Sequence, residues 1–203
     1  DASAEFAAAA GARVVAAPVR GYGAAYSAGL AAARGRYLVL GDADGTYDFD
    51  RVPDFVLKLR DGNDLVLGSR FAGQILPGAM PWLHRYVGNP ALTGILGIFF
   101  GRRVSDAHCG MRALTREAYD RMRLRTTGME FASEMVAMAL RHQLRVAEIP
   151  IVYHPRTGES KLRSFHDGWR HLRFMLLLSP TPLFLLPGFA AILLGAVALF
   201  ALL

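Results

Sequence analysis

The sequence predicts an α/β fold: a mostly parallel sheet flanked by helices, followed by a C-terminal transmembrane helix. Three observations carry this. Short Leu/Val-rich runs such as "YLVL" and "DLVLG" alternate with alanine-rich or helix-period segments, the order that builds parallel strands with crossover helices. The first of those runs ends abruptly in the polar turn "GDADGTYD", as strands of open α/β sheets do at a ligand-binding edge. Finally, "FMLLLSPTPLFLLPGFAAILLGAVALFALL", from Phe174 to Leu203, holds no charged residue and exceeds the roughly 20 apolar residues that cross a bilayer.

In chain order, "DASAEFAAAAG" reads as an amphipathic helix stopped by Gly11, and "ARVVAAP" as a strand. "GYGAAYSAGLAAARG" is a helix closed by Gly35, and "RYLVLGD" a buried strand ending at Asp42, completing a βαβ unit. Asp50 is placed to cap "RVPDFVLKLRDG", with Pro53 tolerated in its first turn. "NDLVLGSRF" follows as a strand. "PWLHRYVGNPALTGILGIFFG" is too long for a strand and reads as helices on the sheet or at a membrane surface. "CGMRALT" is a strand, Thr115 caps "REAYDRM", and the helix "MEFASEMVAMALRHQ" leads to the strand "RVAEIPIVYH". The expected division is a catalytic domain at 1–163, an amphipathic juxtamembrane segment at 164–182 and a membrane segment at 183–203, with Pro180, Pro182 and Pro187 breaking its approach. Lacking an initial methionine, the sequence reads as a fragment.

The net charge of +6 concentrates before the apolar run, in Arg156, Lys161, Arg163, Arg170 and Arg173. By the positive-inside tendency these flank a membrane on its cytoplasmic side, so the expected location is the cell membrane with a cytoplasmic catalytic domain in contact with membrane lipid. No nucleic-acid-binding motif accompanies the charge. A single cysteine, Cys109, excludes an internal disulfide and a cysteine-based zinc site.

Four carboxylates, Asp42, Asp44, Asp48 and Asp50, fall within nine residues. A D-x-D at a strand end can hold a hard divalent cation such as Mg²⁺ or Mn²⁺ while that cation grips a diphosphate. The same residues can equally serve as turn and cap groups. An EF-hand is excluded, since its loop needs glycine sixth and glutamate twelfth, and counting from Asp42 the glycine is fourth and Pro53 twelfth. "GYGAAYSAG" lacks the third glycine of a dinucleotide fingerprint, so Gly21 and Gly23 shape a turn instead. Glu130 and Glu134 read as packing or solvated groups, and His108, His142 and His171 lack ligand spacing.

Further motifs follow in order: "GSRF" with Arg70, "SDAHCGMRALTREA" with Asp106, and "RTGESKL" with Arg156, Ser160 and Lys161. Together with "RGYGAAYSAGLAAARGRYLVLGDADGTYD" they resemble family 2 glycosyltransferases of GT-A (Rossmann-like) fold, in the branch that includes dolichyl-phosphate mannosyltransferase and bacterial polyprenyl-phosphate glycosyltransferases. The resemblance covers residues 1 to about 175, and a C-terminal anchor also occurs in that branch. The processive Q-x-x-R-W motif is absent.

The resemblance implies that Asp42 and Asp44 are the metal and donor-diphosphate residues. Thr46 stands where relatives often carry a glutamine as a further metal ligand. Arg70, Arg85, Arg156, Ser160 and Lys161 fall where the family binds phosphates of donor and acceptor, and Asp106 where it places an acid near the reaction centre. It also implies that the family's first strand precedes residue 1 and that the membrane region continues past Leu203. The expected reaction is attack by a polyprenyl phosphate oxygen on the anomeric carbon of a nucleotide-sugar of the GDP-mannose or UDP-glucose class, inverting to a β-linked product. A nucleotidyltransferase of related architecture, or a membrane-tethered module that docks on anionic lipid, are the competing functions.

Overall fold

The computed structural model describes residues 2–101, 104–158, 164–179 and 184–202. Its sheet has four strands, β1 (Tyr37–Leu40), β2 (Leu65–Ile75), β3 (Arg112–Thr115) and β4 (Val146–Tyr153), in the order β1-β3-β2-β4. β2 and β4 pair in parallel, but β3 runs antiparallel to both neighbours. β1, β2 and β4 therefore share one direction, and the expectation of a mostly parallel sheet holds for strand direction while failing for two of the three pairings. The cause is nonlocal: β3 enters between β1 and β2, with Arg112 opposite both Leu40 and Leu67.

Alternation along the strands sorts the core onto two faces. Leu65 and Leu67 face one cluster with Leu38, Leu40 and Leu114, while Val66 and Ala113 face the other. The first cluster is covered by α2 (Tyr22–Ala32), α4 (Asn89–Phe100), α5 (Arg116–Met122), α6 (Phe131–Arg141) and α7 (Ser164–Leu178), which contribute Leu30, Leu96, Met122, Met135 and Met175. The second is covered by α3 (Val52–Arg60) through Phe55 and Leu59. Two-sided coverage explains why the strands read as continuous apolar runs.

Several local readings are corrected. Residues 12–18 form no strand, and Val14 and Val15 are exposed, because no described strand lies beside them to pair with. The helix α1 (Ser3–Ala9) buries no residue, so its alanine-rich face is not an amphipathic contact. Asp48, not Asp50, is the cap ahead of α3. Its carboxylate accepts from the Asp50 N–H at 2.9 Å and starts a 3-10 turn, Phe49–Arg51. The long apolar segment forms a π-helical turn, His84–Gly88, continuing into α4. Thr115 does cap α5, its hydroxyl accepting from the Ala118 N–H at 3.1 Å.

The basic segment before the apolar run is α7, and one of its faces is internal. Met175 is fully buried and Arg170 pairs with Glu130 at 2.8 Å. Beyond it, α8 (Leu186–Leu202) spans 17 residues, and its described side chains from 187 to 200 are all exposed. No helix among the described residues is long and apolar enough to cross a membrane. Pro180 and Pro182 lie outside the described residues.

Leu67 is fully buried at the middle of β2. Leu67→Ala is expected to cost about 2–5 kcal/mol through lost burial and the cavity left behind. A urea titration should show the midpoint lowered with an unchanged slope.

Candidate active site

Because β1, β2 and β4 run the same way, their C-terminal ends lie along one edge of the sheet. The reversal of β3 delivers the loop ahead of it, residues 104–111, to that same edge. Asp42 and Asp44 follow β1, Arg70 lies on β2, Asp106 on the pre-β3 loop, and Tyr153 and Arg156 at the end of β4. Four segments distant in sequence thus meet where open α/β sheets bind ligands.

Asp42 is half-buried, and its Oδ1 accepts from the Tyr26 hydroxyl at 2.7 Å. Its other oxygen faces Gly110, where a Cβ would sit 2.4 Å from Oδ2. Only glycine leaves that approach to the carboxylate open. Asp44 Oδ1 accepts from the Thr46 hydroxyl at 2.5 Å and the Thr46 N–H at 3.1 Å, while Oδ2 pairs with Arg156 at 2.9 Å. The Asp44 carbonyl accepts from the Thr157 N–H, and the Thr46 carbonyl from that of His154, so the D-x-D turn and the segment after β4 are laced together.

Burial raises the Asp42 carboxyl above its ordinary range. The Tyr26 hydrogen bond opposes the rise, the neighbouring Asp44 charge adds to it, and Arg156 and Arg112 offset part of it. A partly desolvated carboxylate, Asp42, held beside a second one, Asp44, is a donor set that a hard divalent cation relieves, so the pair fits Mg²⁺ or Mn²⁺. The described residues include no group of three or more His, Cys, Asp or Glu able to hold a metal, so further ligands would have to come from substrate or water. Thr46 is buried, and its hydroxyl is spent on Asp44.

Arg70 and Asp106 meet end to end. Arg70 Nε lies 2.6 Å from Asp106 Oδ2 and Nη2 lies 2.8 Å from Oδ1, with the Arg70 and His108 N–H groups completing four donors. Arg70 is 7% exposed and Asp106 0%. Arg70 also lies over the Tyr153 ring, 5.2 Å from its centroid. The pair forms a rigid wall of the site, each member saturated by the other.

The remaining predicted residues are scattered. Arg85 lies on the π-helical turn with its guanidinium over the Tyr86 ring, away from the carboxylates' contacts. Ser160 and Lys161 lie outside the described residues. Glu134 is buried and accepts from Arg125 N–H, Thr126 N–H and the Thr126 hydroxyl, a structural use that matches its reading as a packing group. Gly21 and Gly23, expected to shape a turn, instead start α2, Gly21 as its N-cap and Gly23 inside its first turn. A Cβ at Gly23 would lie 2.4 Å from the Thr126 carbonyl, where α2 abuts the 126–128 segment.

Sequence reasoning missed Tyr26, Tyr47, Gly110 and Arg112. Tyr47 accepts from the Gly110 N–H at 2.8 Å, fixing the glycine against Asp42. Arg112 donates to the carbonyls of Ala107, Cys109 and Ala132 at 2.7–2.8 Å. His108 and His171, set aside for want of ligand spacing, flank Ser133, whose hydroxyl lies 3.0 Å from His108 Nε2 and 2.7 Å from His171 Nδ1. Burial, then the adjacent His171, holds the His108 pKa well below its usual value. The available signal was the pair of tyrosines bracketing D-x-D in "AAYSAG" and "GTYD".

Two measurements test this geometry. Removing one partner of a buried ion pair strands the other, so Asp106→Ala is expected to destabilise the chain by about 3–5 kcal/mol. The double variant Arg70→Met, Asp106→Leu should recover much of that loss, read as a coupling energy in urea denaturation. For Asp42, a folded-state pKa above the unfolded value of about 3.9 means that its contribution is present below that value and lost as pH rises through the folded one. In EDTA, Asp42→Asn should therefore be more stable than the parent at neutral pH, with the advantage vanishing in acid. Millimolar Mg²⁺ or Mn²⁺ should raise the melting temperature of the parent and leave Asp42→Asn unmoved.

Comparison with known proteins agrees with the architecture. Residues 1–123 match the model of glycosyl transferase family 2. The chain is 50% identical over 200 residues to the low-salt glycan biosynthesis hexosyltransferase Agl6 of Haloferax volcanii, covering 98% of this chain and 48% of that protein. It therefore spans about half the length of that relative. It is also 36% identical to a dolichyl-phosphate hexose transferase of the same organism over 161 residues, 78% of this chain and 68% of that protein. Among solved structures it resembles glucosyl-3-phosphoglycerate synthase from Mycobacterium tuberculosis in complex with Mn²⁺, uridine diphosphate and glucosyl-3-phosphoglycerate, with a TM-score of 0.65 at 21% identity over 89% of this chain and 65% of that one. With its sheet, its edge of carboxylates and arginines, and a family match over more than half its length, the chain belongs to glycosyl transferase family 2.

Proposed function

We propose that the chain is the catalytic part of a metal-dependent inverting hexosyltransferase that moves a sugar from a nucleotide-sugar to a polyprenyl phosphate at the cytoplasmic membrane face. The observation that carries this is the meeting of Asp42 and Asp44 with Arg156 at the C-terminal edge of the sheet, with Asp44 already in an ion pair at 2.9 Å. Carboxylates and a partly exposed cation side by side make an anion site only if a divalent ion joins them, which is the composition a diphosphate needs. The names of the two Haloferax relatives, a hexosyltransferase and a dolichyl-phosphate hexose transferase, support the sugar class and the acceptor. Structural neighbours crystallised with Mn²⁺ or Mg²⁺ and uridine diphosphate support the cofactor and the donor class.

In this reading Asp42 and Asp44 hold the Mg²⁺ or Mn²⁺, which when bound supplies charge stabilisation to the departing diphosphate. Tyr26 and Thr46 orient the two carboxylates by donating to their Oδ1 atoms. Arg156 exchanges its contact with Asp44 for the donor phosphates, and the family resemblance assigns further phosphate contacts to Arg85 and to Ser160 and Lys161, the last two outside the described residues. The acceptor phosphate is ionised at neutral pH, so no strong general base is required. Asp106, locked onto Arg70, acts by holding that guanidinium and the 104–111 loop in place, and the pair forms a rigid wall against which the acceptor is positioned.

The apolar face of α8 supports membrane attachment. Seventeen uncharged residues whose described side chains all face outward call for an apolar surrounding, with the described helix alone just short of a full span. We accordingly divide the chain at 163 and 182 into catalytic, juxtamembrane and membrane segments.

The full-length gene product should release nucleoside diphosphate from a nucleotide-sugar only when divalent metal and polyprenyl phosphate are both present. Asp44→Ala should lower that turnover by about 10²-fold or more, the scale of losing one electrostatic stabiliser. Turnover unchanged in Asp44→Ala would sink the metal assignment, and pyrophosphate release from a nucleoside triphosphate would show a nucleotidyltransferase instead.

A further inference from the structure

A sizeable cleft lies away from the carboxylate edge. Its volume is about 880 Å³, and it lies at the opposite end of the sheet, where β1, β2 and β4 begin and β3 ends. Arg36, Arg60, Arg116, Arg121, Arg123 and Arg145 line it. Against these six guanidinium groups stand the carboxylates of Asp64, Glu117 and Asp120, an excess of three positive charges. The family function described above gives this cleft no task.

The arginines are not equally engaged. Arg116 donates to the Leu30 and Ala33 carbonyls, Arg121 donates to the His142 carbonyl, and Arg145 lies 3.9 Å from Asp64. Those three build the wall. Arg36 lies over the Tyr37 ring, 5.5 Å from its centroid. Arg60 and Arg123 are exposed and make no hydrogen bond or ion pair among the described residues. The backbone supplies a second, independent observation. Arg123 and Gln143 are the two non-glycine residues with positive φ among the described residues, at 48° and 55°, and both lie at this cleft or beside it. The position after a helix in left-handed conformation ordinarily takes glycine. Arg123 closes α5 in that conformation, and a residue kept there against backbone preference points to a use for its side chain.

We propose that this cleft binds a multiply charged, phosphate-bearing anion, with Arg60 and Arg123 as the ligating cations and the engaged arginines as their scaffold. Guanidinium forks match phosphate oxygens in pairs, and several in one concave site select polyphosphates over single charges. The site differs in kind from the catalytic edge: its guanidinium groups outnumber its carboxylates, and Asp64, Glu117 and Asp120 form no group able to hold a metal among the described residues, so the arginines bind the anion directly.

The test is isothermal titration of the purified chain with inorganic tripolyphosphate in EDTA, alongside co-sedimentation with phosphatidylglycerol vesicles. Arg123→Gly removes the side chain and suits the backbone, so its melting temperature should hold or rise. Combined with Arg60→Ala it should weaken binding by about tenfold or more, the scale of a lost charge-assisted contact. Arg123→Lys should restore part of the affinity, and Arg156→Ala at the catalytic edge should change it by less than about twofold. Tripolyphosphate binding with that pattern supports a soluble ligand, and vesicle binding alone with the same sensitivity supports a lipid phosphate headgroup. No binding of either, equal affinity in the Arg60→Ala, Arg123→Gly variant, or tighter binding of polyglutamate than of tripolyphosphate would overturn the proposal.

Discussion

The guanidinium of Arg112 is the fastening on which the site depends. It sits on β3 opposite Leu40 and Leu67, is 2% exposed, and spends its donors on three backbone carbonyls rather than on a carboxylate. Two of those carbonyls, Ala107 and Cys109, belong to the loop that enters β3, and the third, Ala132, to the first turn of α6. A buried arginine is tolerable only when its hydrogen bonds are satisfied, so the loop has little freedom to take another course. Glu148 on β4 adds to the restraint by accepting from the Ser105 N–H and hydroxyl and from the Asp106 N–H. Asp106 is thereby aimed at Arg70, and Gly110 is held against Asp42 by Tyr47.

The charges at the edge divide by their degree of pairing. Arg70 and Asp106 cancel each other inside the protein and contribute shape. Asp42 and Asp44 do not cancel: among the described residues only Asp44 forms an ion pair, and its partner Arg156 is partly exposed. An edge built this way is less stable empty than an apolar one would be, and such destabilised sites are what a charged ligand can exploit. The strain is electrostatic, carried by Asp42 in a place where burial and a like charge both disfavour its ionised form.

Much of this was legible in the sequence, and what escaped has a common cause. The strands β1 and β2, the helices α2, α3 and α6, and the location of D-x-D at a strand end followed from short-range pattern. The reversed β3 did not, because four residues, "RALT", say nothing about which strands flank them. Residues 12–18 had the composition of a strand, yet composition cannot provide the neighbour that a strand needs. Asp48 takes the cap rather than Asp50 because a 3-10 turn, Phe49–Arg51, precedes α3 and moves the capping position two residues upstream. Thr46 stands where relatives often carry a metal-ligating glutamine, and its hydroxyl donates to Asp44, a contact that depends on a tight turn at Gly45, φ 77°. Tyr26 and Tyr47 lie 16 and 63 residues from the groups they hold, and Arg112 reaches 20 residues to Ala132 besides its near partners Ala107 and Cys109, so the tyrosines that bracket D-x-D show that a site is near but not which group each one holds.

The basic helix before the apolar run shows why net charge misleads when read segment by segment. Composition assigns its arginines to a membrane surface, but α7 is a core element as well: Met175 reaches the main cluster, Arg170 pairs with Glu130, and His171 meets Ser133 on α6. Ser133 in turn touches His108, two residues beyond Asp106. The helix next to the apolar segment is thus joined by three side chains to the loop that bears the central carboxylate, and His108 is too enclosed to gain a proton cheaply. A displacement of α7 along its axis would have to break the Ser133 contact or drag the loop with it. Since α6 supplies both Ser133 and the Ala132 carbonyl held by Arg112, the path from α7 ends on the same guanidinium that orders the site.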